Sequence, residues 1–185
     1  MGKPGGLLDL EGHYASYSAY HSNAVNVGIH ELVVWPIFLT AIMLLHLTAP
    51  FQHAAGVIAA AYGAYYFLLD RRAGAIAALL CFLCWAAGGA LAAYLGFSVG
   101  RKVVLVVQLF CWSMQLVGHG VFEKRTPAPR DNLVQALLLV PFLVVLQSLH
   151  TFGGYEPYPG FHDRVGKLTV KARKEWEDKH AKKSS

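Results

Sequence analysis

From residue 32 onward the chain alternates between apolar blocks and short charged or proline-containing punctuation, and this limits the fold more than any other feature. The blocks cover residues 32–49, 54–69, 73–97, 103–122 and 133–150. The longer ones suffice to cross a hydrocarbon layer about 30 Å thick. A bilayer requires that each crossing segment bond its own backbone groups, which a helix does. Apolar residues make up 55% of the chain and charged residues 15%, a balance that excludes an ordinary soluble domain. The expected fold is an all-α, polytopic membrane helix bundle. Residues 1–160 form its single integral-membrane domain and residues 161–185 a basic tail. The run Ala86-Ala87-Gly88-Gly89-Ala90 and the spacing of Gly89 and Ala93 suit close helix contacts.

The side of the membrane follows from charge. Net charge is +5, and much of the excess lies after Arg164, which places the tail in the cytosol beside anionic lipid. Lys182 and Lys183 match a di-lysine endoplasmic reticulum (ER) retrieval signal, which is read on the cytosolic side. Five crossings would put the two ends of the chain on opposite sides, whereas four put both in the cytosol. The expectation is four spans from the five apolar segments, one of which does not cross. Pro141 breaks the fifth segment, which is kinked, re-entrant or interfacial. No cleavable signal or myristoylation pattern begins the chain, so insertion depends on an internal segment.

Residues 7–30 are too polar to span. They hold Asp9, Glu11, His13, His21, Asn23, Asn26 and His30, interleaved with Tyr14, Tyr17 and Tyr20. The expectation is an N-terminal interfacial helix with tyrosines at headgroup level. At roughly 100° per residue, Asn23, Asn26 and His30 share one face of a helix. His21 and His30 are nine residues apart and point to nearly opposite sides of a straight helix. They can serve one site only if the helix breaks between them or the site wraps its end.

The end of the fourth block carries Gly118-His119-Gly120-Val121-Phe122-Glu123-Lys124-Arg125. On a helix Gln115, His119 and Glu123 form one polar stripe, with Gln108 nearly in line a heptad earlier. Polar groups at membrane depth are costly and face a protein interior, a cavity or a partner. Most histidines here flank the ends of apolar segments, so a bundle can gather them on one side. Two histidines and a carboxylate with open positions are typical of non-haem Fe(II) oxygenases, and His21, His30, His119 and Glu123 supply that set. By ligand type alone, zinc suits it nearly as well. Asn23, Asn26 and Gln115 are candidates to orient the imidazoles or hold water. His46 and His53 are further candidate ligands. His13, His150, His162 and His180 read as solvated or hydrogen-bonded side chains. Cys81-Phe-Leu-Cys84 lies within an apolar run and reads as packing, and no nucleic-acid module is present.

Several of these motifs carry a resemblance. Residues 6–10, Tyr20-His21-Ser22-Asn23, Asn26-Val27-Gly28-Ile29-His30, the run from Gln115 to Arg125, Pro127-Ala128, residues 131–135 and Pro141-Phe142 are similar to a fungal and plant family. That family comprises the ER 2-hydroxy fatty acid dioxygenases, which act in fatty acid α-oxidation, including phytosphingosine breakdown. The resemblance runs over residues 6–150, with the middle, 54–102, matching only in being apolar. It implies an Fe(II)-dependent reaction of a 2-hydroxy fatty acid with O2. The product is a fatty acid one carbon shorter, made in the ER membrane.

Essential histidines carry over to His21, His30 and His119. For Glu123, iron binding and pairing with Lys124 or Arg125 are both open. Lys124, Arg125 or Arg130 would hold the substrate carboxylate. One departure is Gln147, where relatives tend to have Glu. Oligomeric state stays open. Two other readings of the residues stand beside this one. A metal or proton transporter would need polar residues through the whole bundle, and the third block has almost none. A non-enzymatic ER scaffold or stress protein would keep the fold without the chemistry.

Overall fold

Capping side chains divide the first half of the chain into helices. Asp9 accepts the Gly12 N–H at 2.9 Å and starts α1, Leu10–Tyr20. Asn23 accepts the Val25 N–H at 2.9 Å and starts α2, Ala24–Leu47. Asp70 closes α3, Gln52–Leu69, and its carboxylate accepts the Ala73 N–H at 2.6 Å to start α4, Arg71–Val117. Each cap satisfies backbone donors that a helix start leaves unbonded. A π-helical turn, Gly118–Glu123, continues α4. A second, Gln135–Leu139, leads into α5, Val140–Gly153, and α6 is Phe161–Ser184. The computed structural model describes residues 6–48, 51–124 and 135–184, and these contain no strand.

A straight α4 of 47 residues would be about 70 Å long, twice the thickness of a hydrocarbon layer. Gly96 prevents this. Its backbone (φ 65°, ψ 173°) lies in a region that is essentially glycine-only, and the chain reverses there. The register of contacts gives the direction of each half. Phe38 meets Tyr62, so α3 runs back along α2. Gly56 lies against Trp85 and Gly63 against Ala78, so the first half of α4 runs back along α3. Gly100 lies against Leu47, Gln108 bonds to Thr40 and Gly118 lies against Asn26, so the second half runs back along α2. The two halves are therefore antiparallel, and Met43 packs in one cluster with Ala92 and Val104 from either side of the turn.

The third and fourth predicted blocks are thus the two halves of α4. The break falls at Gly96 and not at the charged pair Arg101-Lys102, which lies inside the helix. Charge marks where a helix meets water, whereas the reversal needs a backbone geometry that glycine supplies. Gly88 packs against Met43 and Gly89 against His46, as small residues at a contact should, while Ala93 is exposed.

The apolar surface is not all internal. Ala24–Leu47 and the 53-residue stretch Arg71–Glu123 are long and apolar enough to cross a membrane, while His53–Leu69 and Leu137–Gly153 are shorter apolar helices. Only 22% of the most apolar window in Arg71–Glu123 is buried, and Phe82, Leu83, Leu105 and Phe110 face outward. A surface of this kind is stable against an apolar neighbour and not against water.

α5 begins partway along the bundle. Tyr66 Oη donates to the Leu138 carbonyl at 2.8 Å, and Ser148 Oγ donates to Glu31 at 2.8 Å. The helix therefore runs from beside the last two turns of α3 toward the end where α2 starts. Its Pro141 sits in the first turn, where a missing N–H is tolerated.

The tyrosines expected at headgroup level on the N-terminal helix are packed inside the protein. α1 buries Tyr14, Tyr17 and Tyr20, because α6 packs over it and Phe161 meets the Tyr14 ring at 5.6 Å. α6 starts inside the core, where Phe161 and Val165 are buried.

Gly96→Ala should lower unfolding stability in detergent by about 1–3 kcal/mol, the cost of forcing a side chain into that backbone region. Gly28→Ala, within α2 with open space around it, should be neutral or stabilising. Equal thermal transitions for parent and Gly96→Ala would show that the reversal does not depend on this geometry.

Candidate metal centre

The helix break needed to join His21 and His30 is present. α1 ends at Tyr20, His21 leaves helical geometry (φ −131°, ψ 73°), and Asn23 caps α2. The chain turns within these residues. His21 then faces His30 on the second turn of α2, and His119 on the π-helical turn completes the group. The ring centroids are 4.4, 4.8 and 4.9 Å apart, and one nitrogen from each ring lies within 4.8 Å of the others. All three side chains are buried.

Hydrogen bonds fix two of the rings. His21 Nδ1 lies 2.8 Å from the Tyr17 carbonyl and His30 Nδ1 lies 2.9 Å from the Asn26 carbonyl. A carbonyl only accepts, so each Nδ1 carries the proton and each Nε2 carries a lone pair. Metal-ligating histidines are oriented in the same way. Tyr17 lies in the last turn of α1, where carbonyls lack helical partners, so His21 satisfies one of them. The Tyr17 ring also stacks on His21, with centroids 4.0 Å apart and planes 16° apart.

His21 Nε2 and His119 Nδ1 are buried without a protein partner, a costly state that a cation relieves. Burial, and then the His30 and His119 imidazoles, hold the His21 pKa well below the usual histidine value, so the ring is neutral as a ligand must be. The residues present therefore fit a metal ion.

Glu123 is bonded to the start of α2. Its carboxylate accepts the N–H groups of Ser22 (2.9 Å) and Asn23 (3.0 Å), the Ser22 hydroxyl, and Asn26 Nδ2 at 3.3 Å. Both oxygens are engaged at the N-terminus of α2, where the helix dipole also favours an anion. Among the described residues the gathered ligand group is His21, His30 and His119, and Glu123 clamps the backbone that carries His21. Ser22 lies in the Tyr20-His21-Ser22-Asn23 motif, but its bonding role is not legible there, because its partner is 101 residues away.

The other candidates are spread over the fold. Asn26 is fully buried, and its Nδ2 donates to the Tyr20 carbonyl at 3.2 Å as well as to Glu123. A Cβ on Gly118 would stand 2.4 Å from Asn26 Oδ1, so a larger residue would force Asn26 or the π-helical turn to shift. Asn23 is a helix cap. Gln115 lines a cavity beside the histidines. Lys124 is exposed and ends the π-helical turn with a left-handed backbone (φ 54°), while Arg125 and Arg130 lie outside the described residues. His46 packs on Gly89 and His53 is exposed at the start of α3, both toward the opposite end of α2 from the histidine group. Gln147 accepts from Tyr14 Oη at 2.6 Å and donates to Thr151.

The cavity has a volume of about 360 Å³. The three histidines line it together with apolar side chains that include Val34, Phe38 and Trp112. A few polar groups in a mostly apolar pocket of this size are what a small-molecule site requires.

Fold and site define an all-helical protein with a buried three-histidine centre opening on an apolar slot. The family model described as 2-hydroxy-palmitic acid dioxygenase Mpo1-like matches residues 7–152, and the chain belongs to this Mpo1-like family. It is 36% identical over 152 residues to the 2-hydroxy-palmitic acid dioxygenase MPO1 of Saccharomyces cerevisiae, covering 80% of this chain and 84% of that one. No solved structure matches the chain.

Glu123→Gln separates the two roles of this residue. As a clamp, its loss should lower stability by roughly 1–2 kcal/mol, the range for a lost helix cap, and leave bound metal near the parent value under saturating metal. Metal loss as deep as that of a histidine variant would instead make Glu123 a ligand.

Proposed function

We propose that this chain is a 2-hydroxy fatty acid dioxygenase of the ER membrane, with Fe(II) held by His21, His30 and His119. The observation that carries this reading is the pair of buried, unpartnered ring nitrogens beside an apolar slot. The family and the named yeast relative supply the reaction class. The substrate is a 2-hydroxy fatty acid that reacts with O2 and loses its carboxyl-end carbon, leaving a fatty acid one carbon shorter. Iron, when bound, supplies the activation of O2 and a point of attachment for the hydroxyl and carboxylate oxygens.

The protein positions the rest. The Tyr17 and Asn26 carbonyls hold the imidazoles, and Glu123 holds the turn between α1 and α2. The slot takes the acyl chain and excludes water from the reacting end. Lys124 and Arg125 are placed in sequence to attract the carboxylate at the membrane boundary. The histidine group stays at one end of the bundle, which favours an enzyme over an ion path through it.

Four spans account best for the helices: α2, α3 and the two halves of α4, with α5 entering partway and returning. Both ends of the chain then lie on the side of the histidines. The basic residues of α6 favour the cytosol for that side.

Detergent-purified parent protein should hold iron in stoichiometric amount and shorten 2-hydroxy fatty acids under O2. His119→Ala should lose most of both, since even residues behind a metal ligand cost about 10–100-fold when changed. Folded parent protein that takes up no metal after reconstitution with Fe(II) would sink the assignment.

A further inference from the structure

Gln108 is a polar residue deep in an apolar bundle that takes no part in the histidine centre. Its Nε2 donates to the Ile37 carbonyl at 2.9 Å and to Thr40 Oγ1 at 3.0 Å. Its Oε1 accepts the Trp112 indole N–H at 2.9 Å. A carboxamide at this depth is costly unless bonded, and here both ends are bonded. The effect is to tie the Trp112 ring to the backbone of α2.

Trp112 is a wall of the slot. Along α2 the lining runs from His30 through Val34 and Phe38 to Ala41, about 16 Å at 1.5 Å per residue. Along α4 it runs from His119 through Gln115 to Trp112. α2 and the second half of α4 are antiparallel, so Trp112 and Ala41 are the lining residues furthest along their helices from the histidines. Gln108, one turn beyond Trp112, lies outside the lining and latches the indole from behind.

We infer that Trp112, latched by Gln108, is the specificity-determining residue that sets how long an acyl chain the slot accepts. This rests on the reading of the slot as the place of the fatty acid. With its carboxyl end at the histidines, a chain extends toward Trp112, and a chain longer than the slot meets a large ring that its hydrogen bond keeps from turning aside. Trp112→Ala opens the end. Gln108→Leu keeps the bulk but frees the indole, and Trp112→Phe shortens the wall with little loss of packing.

The test measures anaerobic binding of saturated 2-hydroxy acids of increasing length, by displacement of a fluorescent fatty acid from the iron-loaded protein. Turnover under O2 is followed on the same preparations. In the parent, affinity should rise with length, reach a break and then fall. In Trp112→Ala the break should move to longer acids, each newly admitted methylene adding roughly fourfold in affinity. Gln108→Leu should move it in the same direction by less. Ratios between acids within one preparation cancel differences in active fraction, and Trp112→Phe serves if Trp112→Ala does not fold. A break at the same length in the parent and the Trp112 variant overturns the inference, as does binding that ignores length. Length-dependent binding that shifts with Trp112, but without turnover of any acid, overturns the dioxygenase reading alone.

Discussion

The clamp between Glu123 and the start of α2 is the contact on which the site depends. A carboxylate at the end of the fourth apolar block reaches backbone donors about 100 residues earlier in the chain. It satisfies N–H groups that a helix start leaves unbonded and ties the His119 turn to the His21 turn. The three imidazoles meet because those two turns are held together. Gly118 leaves room for the approach, and Asn26 fills the space between, bonding to the Tyr20 carbonyl and to Glu123.

Two sets of polar residues within this bundle have different tasks. One set, at the start of α2 and the end of α4, surrounds the histidines. The other, Gln108, Thr40 and Trp112, sits deeper and is bonded to itself and to the α2 backbone. In an apolar surrounding each such bond has few competitors, so a single carboxamide can fix both the spacing of two helices and the posture of a ring. The slot between the two sets is left apolar.

α1, α5 and α6 close the histidine end of the bundle. The Arg164 guanidinium and the Tyr158 hydroxyl both bond to Glu11, at 2.7 and 2.6 Å, and these bonds hold the Glu11 carboxyl below its usual pKa, the Tyr158 bond first. The pair is exposed to solvent and carries little stability by itself. Burial of Phe161 and Val165 does more to dock α6 on α1, and α1 in turn supplies Tyr17 and the carbonyl that orient His21.

Much of the architecture is readable from the order of residues. Apolar blocks of membrane length give an all-helical bundle because backbone groups in an apolar medium must bond within their own segment. The spacing of His21 and His30 requires a break between them, and Asn23 supplies the cap that starts the next helix. The stripe of Gln115 and His119 does face a cavity. The structure decided what spacing cannot: that the chain reverses at Gly96 and not at Arg101-Lys102, that α1 is covered by α6, and that Glu123 spends its carboxylate on backbone donors. These depend on which groups meet across long separations in the chain. Periodicity reports only neighbours one or two turns away, so it placed each histidine on a face but could not say which faces would meet.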